Sequence, residues 1–290
     1  MFVGDAFEKL YALDLATGEE KWSASAELGF VAPPACPRCA GPMADDDAVP
    51  GSLFPRFCDD CRPLIVTSTR DQCPRCAAPV GPNLQNLDGC VHCRNDRFSF
   101  EQAVALDVYR GPLQQACRAA KRPGGGVLAA ALANLLGERS ADVMDRWNPT
   151  LVVPVPQFWL ARLWQTRHAA SVMAEVLARR LRVPCRPDIL TKRRWTPAQG
   201  RLTPTERRRN LRNAFRADRQ VGGKTVLLVD DVLTTGATAH RCAKELKRQG
   251  ALQVFVAVAA RGLGKPRISG ASGSVPSLPG RNEQSSNDSE

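Results

Sequence analysis

The stretch Val226-Leu227-Leu228-Val229-Asp230-Asp231-Val232-Leu233-Thr234-Thr235-Gly236-Ala237-Thr238 decides how this chain is read. An apolar run of strand length ends in two acids. A loop of small residues then opens a helical spacing over Thr238–Gln249. Each part suits a sugar phosphate. Gly236 lets the backbone approach an anion closely. Loop amides and the positive end of a helix offer donors to a phosphate, and Thr234, Thr235 and Thr238 add hydroxyls. Two adjacent carboxylates at a strand's C-terminal end can accept hydrogen bonds from a vicinal diol, and functional sites of open α/β sheets lie at that end. The plain alternative is a generic strand–turn–helix with two solvated acids.

Outward from this stretch, apolar strands alternate with helical patterns. Ala103–Val108, Leu151–Val155 and Leu252–Ala259 read as strands and Ala170–Leu181 as a helix. That alternation predicts an α/β fold, a parallel sheet flanked by helices, over residues 99–262. Beyond Arg261 the composition falls to Gly, Ser, Pro and Asn, so 263–290 is expected to be a disordered tail. In residues 1–34, Gly4-Asp5, Tyr11–Asp14, Thr17-Gly18 and Trp22 resemble one repeat of a quinoprotein-type β-propeller. A propeller needs several blades, so this piece is read as an extension and not a functional domain.

Residues 35–98 hold eight of the eleven cysteines as four Cys-x-x-Cys pairs: Cys36/Cys39, Cys58/Cys61, Cys73/Cys76 and Cys90/Cys93. A two-residue spacer turns both sulfurs of a knuckle toward one tetrahedral ion, and two knuckles complete a zinc site. The run Cys36-Pro-Arg-Cys-Ala-Gly-Pro42 recurs as Cys73-Pro-Arg-Cys-Ala-Ala-Pro79, which argues for two tandem ribbons. The expected sets are 36/39/58/61 and 73/76/90/93, with a crossed pairing of alternate knuckles left open by spacing alone. Sulfur fills every ligand position, so both zincs are expected to be structural. Cys117, Cys185 and Cys242 stand apart and read as small buried apolar residues.

The net charge of +11 is concentrated: Arg179 to Arg219 carries 14 Lys/Arg against 3 Asp/Glu, which equals the whole excess. A local basic stretch suits a polyanion, whether a phosphorylated small molecule or nucleic acid. No apolar run approaches the roughly 18 residues of a membrane helix, and the start has no secretory pattern. The expected compartment is cytoplasmic, with no stable membrane insertion.

The Asp-Asp loop resembles the phosphoribosyl pyrophosphate signature of type I phosphoribosyltransferases. That resemblance implies Asp230 and Asp231 on the ribose hydroxyls, Thr234, Thr235, Gly236, Ala237 and Thr238 around the 5′-phosphate, and Mg²⁺ with the diphosphate. Pro154-Val155-Pro156 would be the pyrophosphate loop by position. The likeness extends further. Cysteine knuckles come first, then Lys121 in AAKRPGGG, the Pro154–Pro156 turn, and Gln199, Leu202, Glu206-Arg207 and Asn210 leading to Ala214-Phe215. Together these resemble the ComF family of competence-associated proteins, which join a double zinc ribbon to a phosphoribosyltransferase domain. The family's Arg-Gly-Phe-Asn-Gln-like run is replaced here by Gln165-Thr166-Arg167-His168-Ala169, without the glycine.

The resemblance implies DNA uptake during natural transformation, with single-stranded DNA and competence or helicase proteins as partners. Lys192–Arg212 would form a basic hood over the leaving group. Two other readings stand beside this one: a non-catalytic phosphoribosyl pyrophosphate sensor, and a nucleobase phosphoribosyltransferase. By the same resemblance, Thr234 stands where purine-salvage relatives carry an Asp for the base, which disfavours a hypoxanthine or guanine acceptor.

Overall fold

A computed structural model describes residues 2–4, 9–13, 20–25, 35–43, 54–67, 71–81, 89–156, 168–193 and 214–263. Its centre is a four-stranded, wholly parallel sheet. β4 (Ala103–Val108), β5 (Leu151–Pro154), β8 (Thr225–Leu233) and β9 (Gln253–Arg261) stand in the order β4-β9-β8-β5. The two central strands are nearly continuous in apolar residues because helices or the hairpin described below cover both faces.

On one face lie α2 (Gly111–Ala119), α3 (Gly126–Arg139) and α5 (Ala169–Leu181), with α4 (Ala141–Trp147) following α3. The pleat sends Leu227 and Val229 toward these helices and Val226 and Leu228 toward the opposite core. The opposite face carries α6 (Ala237–Arg248) and an antiparallel hairpin of β6 (Leu190–Lys192) and β7 (Phe215–Ala217). α3 packs against α5, β4 and β9, and every residue from Val127 to Gly137 is buried. Burial of Leu132, Leu135 and Leu136 is worth roughly 1.5–3 kcal/mol each.

The cysteine segments lie on the free edge of β4. Ala103 N–H donates to Pro74 O at 2.9 Å, and the Gln72 amide pairs with both N–H and C=O of Ala105, at 3.2 and 2.7 Å. Further along, Asp107 Oδ2 accepts from Thr67 N–H and Oγ1. At the opposite edge, Val152 pairs with Pro184 and Arg186. β1 (Phe2–Gly4), β2 (Lys9–Leu13) and β3 (Glu20–Ser25) form a separate antiparallel meander. Among the described residues no helix is long and apolar enough to cross a membrane.

Candidate functional site: a strand-end acid pair beside two cysteine tetrads

The sulfurs of Cys36, Cys39, Cys58 and Cys61 form one cluster, and those of Cys73, Cys76, Cys90 and Cys93 another. The pairing is sequential, not crossed. Sulfur separations include 3.8 Å for Cys39–Cys58, 3.7 Å for Cys73–Cys93 and 3.6 Å for Cys76–Cys90. A tetrahedral ion with bonds of about 2.3 Å needs its sulfurs about 3.8 Å apart, so both sets fit zinc. The sequence repeat is also a backbone repeat. Cys36 N–H bonds Gly41 O and Ala40 N–H bonds Cys36 O, and Cys73, Ala78 and Ala77 do the same in the second ribbon. Ala40 and Ala77 both sit at φ 57°, closing their knuckles in the left-handed region.

The tetrads differ in shielding. Cys39 is exposed and Cys58 half-buried, whereas all four sulfur residues of the second set are buried. Competitive chelation of zinc-loaded protein should therefore release about two equivalents in two phases, the first from Cys36/Cys39/Cys58/Cys61. A dye-based release trace with one phase would contradict this ordering.

The acid pair sits where β5 gives out. Pairing of β5 with β8 stops at Pro154↔Val229, and Val155 N–H donates to Val229 O at 2.8 Å. β8 continues alone on that side through Asp230, Asp231 and Val232, which are half-buried, to Leu233. Pro154-Val155-Pro156 thus runs past the end of β5 beside the residue that precedes the acids. Asp231 lies toward Lys121 and Cys117 at the end of α2, and Asp230 toward Cys242 of α6 and Lys192 of β6.

Each acid has its own surroundings. Asp231 is ion-paired with Lys121, from the turn after α2. Burial pushes the Cys117 thiol up to about 12, with the Asp231 charge adding to it. Asp230 accepts from Asp231 N–H at 2.9 Å. Its carboxyl is held well above the usual carboxylate range, first by burial and then by repulsion from Asp231. The Lys192 ammonium, at the end of β6, is drawn down by burial, while Cys242 and Asp230 oppose that shift.

Past Leu233 the chain turns into α6. Gly236 caps this helix at φ 73°, and Ala237 N–H contacts Thr235 Oγ1 at 3.4 Å. Thr234 is exposed and Thr235 and Thr238 are half-buried, so the hydroxyl-bearing turn is open to solvent at the helix's positive end. The first turn of α6 holds no acid that would repel an anion.

Three contacts that sequence reasoning missed hold the turn in place. A Cβ at Gly236 would lie 2.7 Å from Phe98 Cε1, so the ring of Phe98 closes over the glycine. Phe98 is itself stacked on Phe100 at 4.6 Å and covered by Arg75 from the second ribbon, 5.9 Å from the ring centroid. Ser99 N–H donates to His240 Nδ1 on α6. The buried Arg261 guanidinium bonds the carbonyls of Leu233, Thr234 and Gly262.

Other expectations fall differently. His168 Nδ1 accepts from Ala170 N–H and caps α5. Gln165 to Arg167, the hood residues 194–213 with Gln199, Leu202, Glu206, Arg207 and Asn210, and the tail beyond Leu263 lie outside the described residues. Cys117 and Cys242 are buried as expected, while Cys185 is partly exposed.

A parallel sheet with a strand-end acid pair, a small-residue helix-capping turn and flanking helices defines the class of phosphoribosyltransferase-like proteins. Residues 166–269 match the family model described as a phosphoribosyl transferase domain. The chain is 33% identical over 191 residues to the DNA utilization protein YhgH of Salmonella typhi, covering 63% of this chain and 81% of that one. It is 30% identical over 212 residues to the YhgH protein of Escherichia coli K12, covering 69% and 88%. Competence protein F of Haemophilus influenzae matches at 26% over 206 residues, with 69% and 88% covered. The chain belongs to the ComF family.

Proposed function

We propose that this protein binds phosphoribosyl pyrophosphate with Mg²⁺ and works with single-stranded DNA in DNA uptake or utilisation. One observation carries the reading: Asp230 and Asp231 lie beyond the end of β5, one short turn before the left-handed Gly236 cap of α6. A ribose diol at the acids and a 5′-phosphate at the helix N-terminus are compatible with that spacing. Asp230 and Asp231 accept from the hydroxyls, Thr234 to Thr238 supply donors to the phosphate, and Pro154 to Pro156 border the diphosphate. Mg²⁺, when bound with the ligand, supplies charge neutralisation at the diphosphate.

The DNA component is supported by the names of the relatives and by charge. Arg179, Arg180, Arg182, Arg193, Arg216 and Arg219 are exposed near the ends of the basic segment. The two tetrads act as structural zinc sites, and the cysteine segments 35–98 serve the domain at 99–262 as a built-in support.

Calorimetric titration with phosphoribosyl pyrophosphate and Mg²⁺ tests the site. Binding is expected for the parent protein and not for Asp230→Ala/Asp231→Ala; equal affinity in both, or none in either, ends the assignment. Single-stranded DNA affinity should fall as salt rises, with a log–log slope near −0.7 per phosphate contact. Pyrophosphate release with a panel of bases would instead identify a nucleobase transferase, while ligand binding without turnover would identify a sensor.

A further inference from the structure

Asp231 does not stand alone at the end of β8. The Lys121 ammonium pairs with its Oδ2, and the two side chains are 46% and 13% exposed respectively. The acid is therefore largely withdrawn from water, while its cation remains in reach of solvent. Lys121 comes from the sequence Lys121-Arg122-Pro123-Gly124-Gly125-Gly126, between α2 and α3.

The turn is built to present this lysine. Lys121 N–H and Arg122 N–H bond back to Arg118 O and Ala119 O, continuing the last turn of α2. Gly124 sits at φ 78°, and a Cβ on Gly125 would come within 2.4 Å of Ala119 O. The chain folds tightly against the end of its own helix, which fixes the Lys121 Cα at the base of a long, flexible four-carbon stem. Cys117 lies one turn earlier on the same face and is buried beside Asp231.

An ammonium on Asp231 Oδ2 competes with any ligand that uses that oxygen or that draws on the full charge of the carboxylate. A divalent cation, or a sugar diol that takes both oxygens, is the competitor. A sugar diphosphate also brings several negative charges to a site that already holds two acids, and it needs a cation in return. One lysine can answer both demands by changing partner. We propose that Lys121 is an exchangeable counter-ion: it neutralises Asp231 before ligand arrives and moves to the diphosphate once diol and metal engage the acid. This rests on the phosphoribosyl pyrophosphate reading above and adds a specificity residue to it, because only a ligand with a diphosphate recovers the lysine's lost ion pair.

The test compares parent, Lys121→Met and Lys121→Arg with three probes: Mn²⁺ alone, ribose 5-phosphate, and phosphoribosyl pyrophosphate with Mg²⁺. Loss of one charged contact is expected to weaken phosphoribosyl pyrophosphate about 10- to 100-fold in Lys121→Met. Ribose 5-phosphate should bind equally well or better, and Mn²⁺, followed by its paramagnetic resonance signal, should bind several-fold more tightly once Asp231 is released. Lys121→Arg should restore most of the diphosphate preference, since its charge is kept. An equal loss for both sugar ligands, or no change with any probe, overturns the proposal. A parent protein that binds neither sugar overturns the phosphoribosyl reading itself, and the lysine's proposed role with it.

Discussion

Asp230→Asn is expected to make the protein more heat-stable at neutral pH while costing at least about 100-fold in affinity for phosphoribosyl pyrophosphate with Mg²⁺. Both halves follow from one charge. Burial and the neighbouring Asp231 raise the Asp230 carboxyl well above its ordinary value. An acid whose folded-state value is raised imposes no penalty below its unfolded value near 3.9. The penalty then grows as pH climbs toward the folded-state value and stays constant above it. Asparagine removes the charge and keeps the shape. The gain at pH 7 should be about 0.5–2 kcal/mol, a rise of roughly 1–8 °C in melting temperature, and should shrink as pH approaches 4. Binding moves the other way, because charge-assisted hydrogen bonds to a diol are lost and an amide donor faces hydroxyl donors. Such bonds are worth about 1.5–3 kcal/mol before any effect on the metal. Calorimetric melting at pH 4 and 7, with ligand titration on the same sample, reads both effects. A variant that melts lower than its parent at pH 7, or that keeps its affinity, would refute this account of the acid.

Gly236→Ala should damage both fold and site. A φ of 73° is costly for any residue with a Cβ, about 1–2 kcal/mol. The added methyl also meets the edge of Phe98 at 2.7 Å. That ring cannot swing aside cheaply, because Phe100 stacks on it and Arg75 lies over it. Overpacking of this kind adds about 1–3 kcal/mol. An unfolding free energy lowered by about 2–5 kcal/mol, read from denaturant titration, is expected. Loss of sugar-phosphate binding should accompany it, since the turn's amides would be re-aimed. Phe98→Leu offers the complementary result: in its presence Gly236→Ala should cost measurably less. If the two substitutions are additive, the ring is not what opposes the methyl.

The sheet and the acid loop were legible because their signals are local. Val226–Val229 is an unbroken apolar run and Leu252–Ala259 is interrupted only by Gln253, and such runs are what a strand buried on both faces requires. The tetrads were legible because knuckle spacing is set by the geometry of one ion. α3 was not legible in the same way. Its stretch Val127–Gly137 is buried on all sides, so it carries no amphipathic period to detect. Lys121, Phe98 and Arg261 were missed as contacts of the site for a different reason. Lys121 and Asp231 are over a hundred residues apart in sequence, as are Phe98 and Gly236, and neither partner's composition signals the meeting. Arg261 marked only the point beyond which the composition changes, whereas its guanidinium turns inward to hold the carbonyls of the loop. The alternation that sends Leu227 and Val229 to one side and Val226 and Leu228 to the other was present in the sequence, but it acquires meaning only when the two cores are known to differ.

The ribbon laid along β4 alters what losing zinc would mean. Gln72 and Pro74, which occupy the backbone groups of that strand, flank Cys73 in sequence. An ion held at Cys73 would therefore also keep a row of amides and carbonyls from recruiting a foreign strand. Without it the apolar stretch Ala103–Val108 becomes a template for intermolecular pairing. Demetallated chains would then accumulate as aggregates, and dilution would protect them better than added ligand.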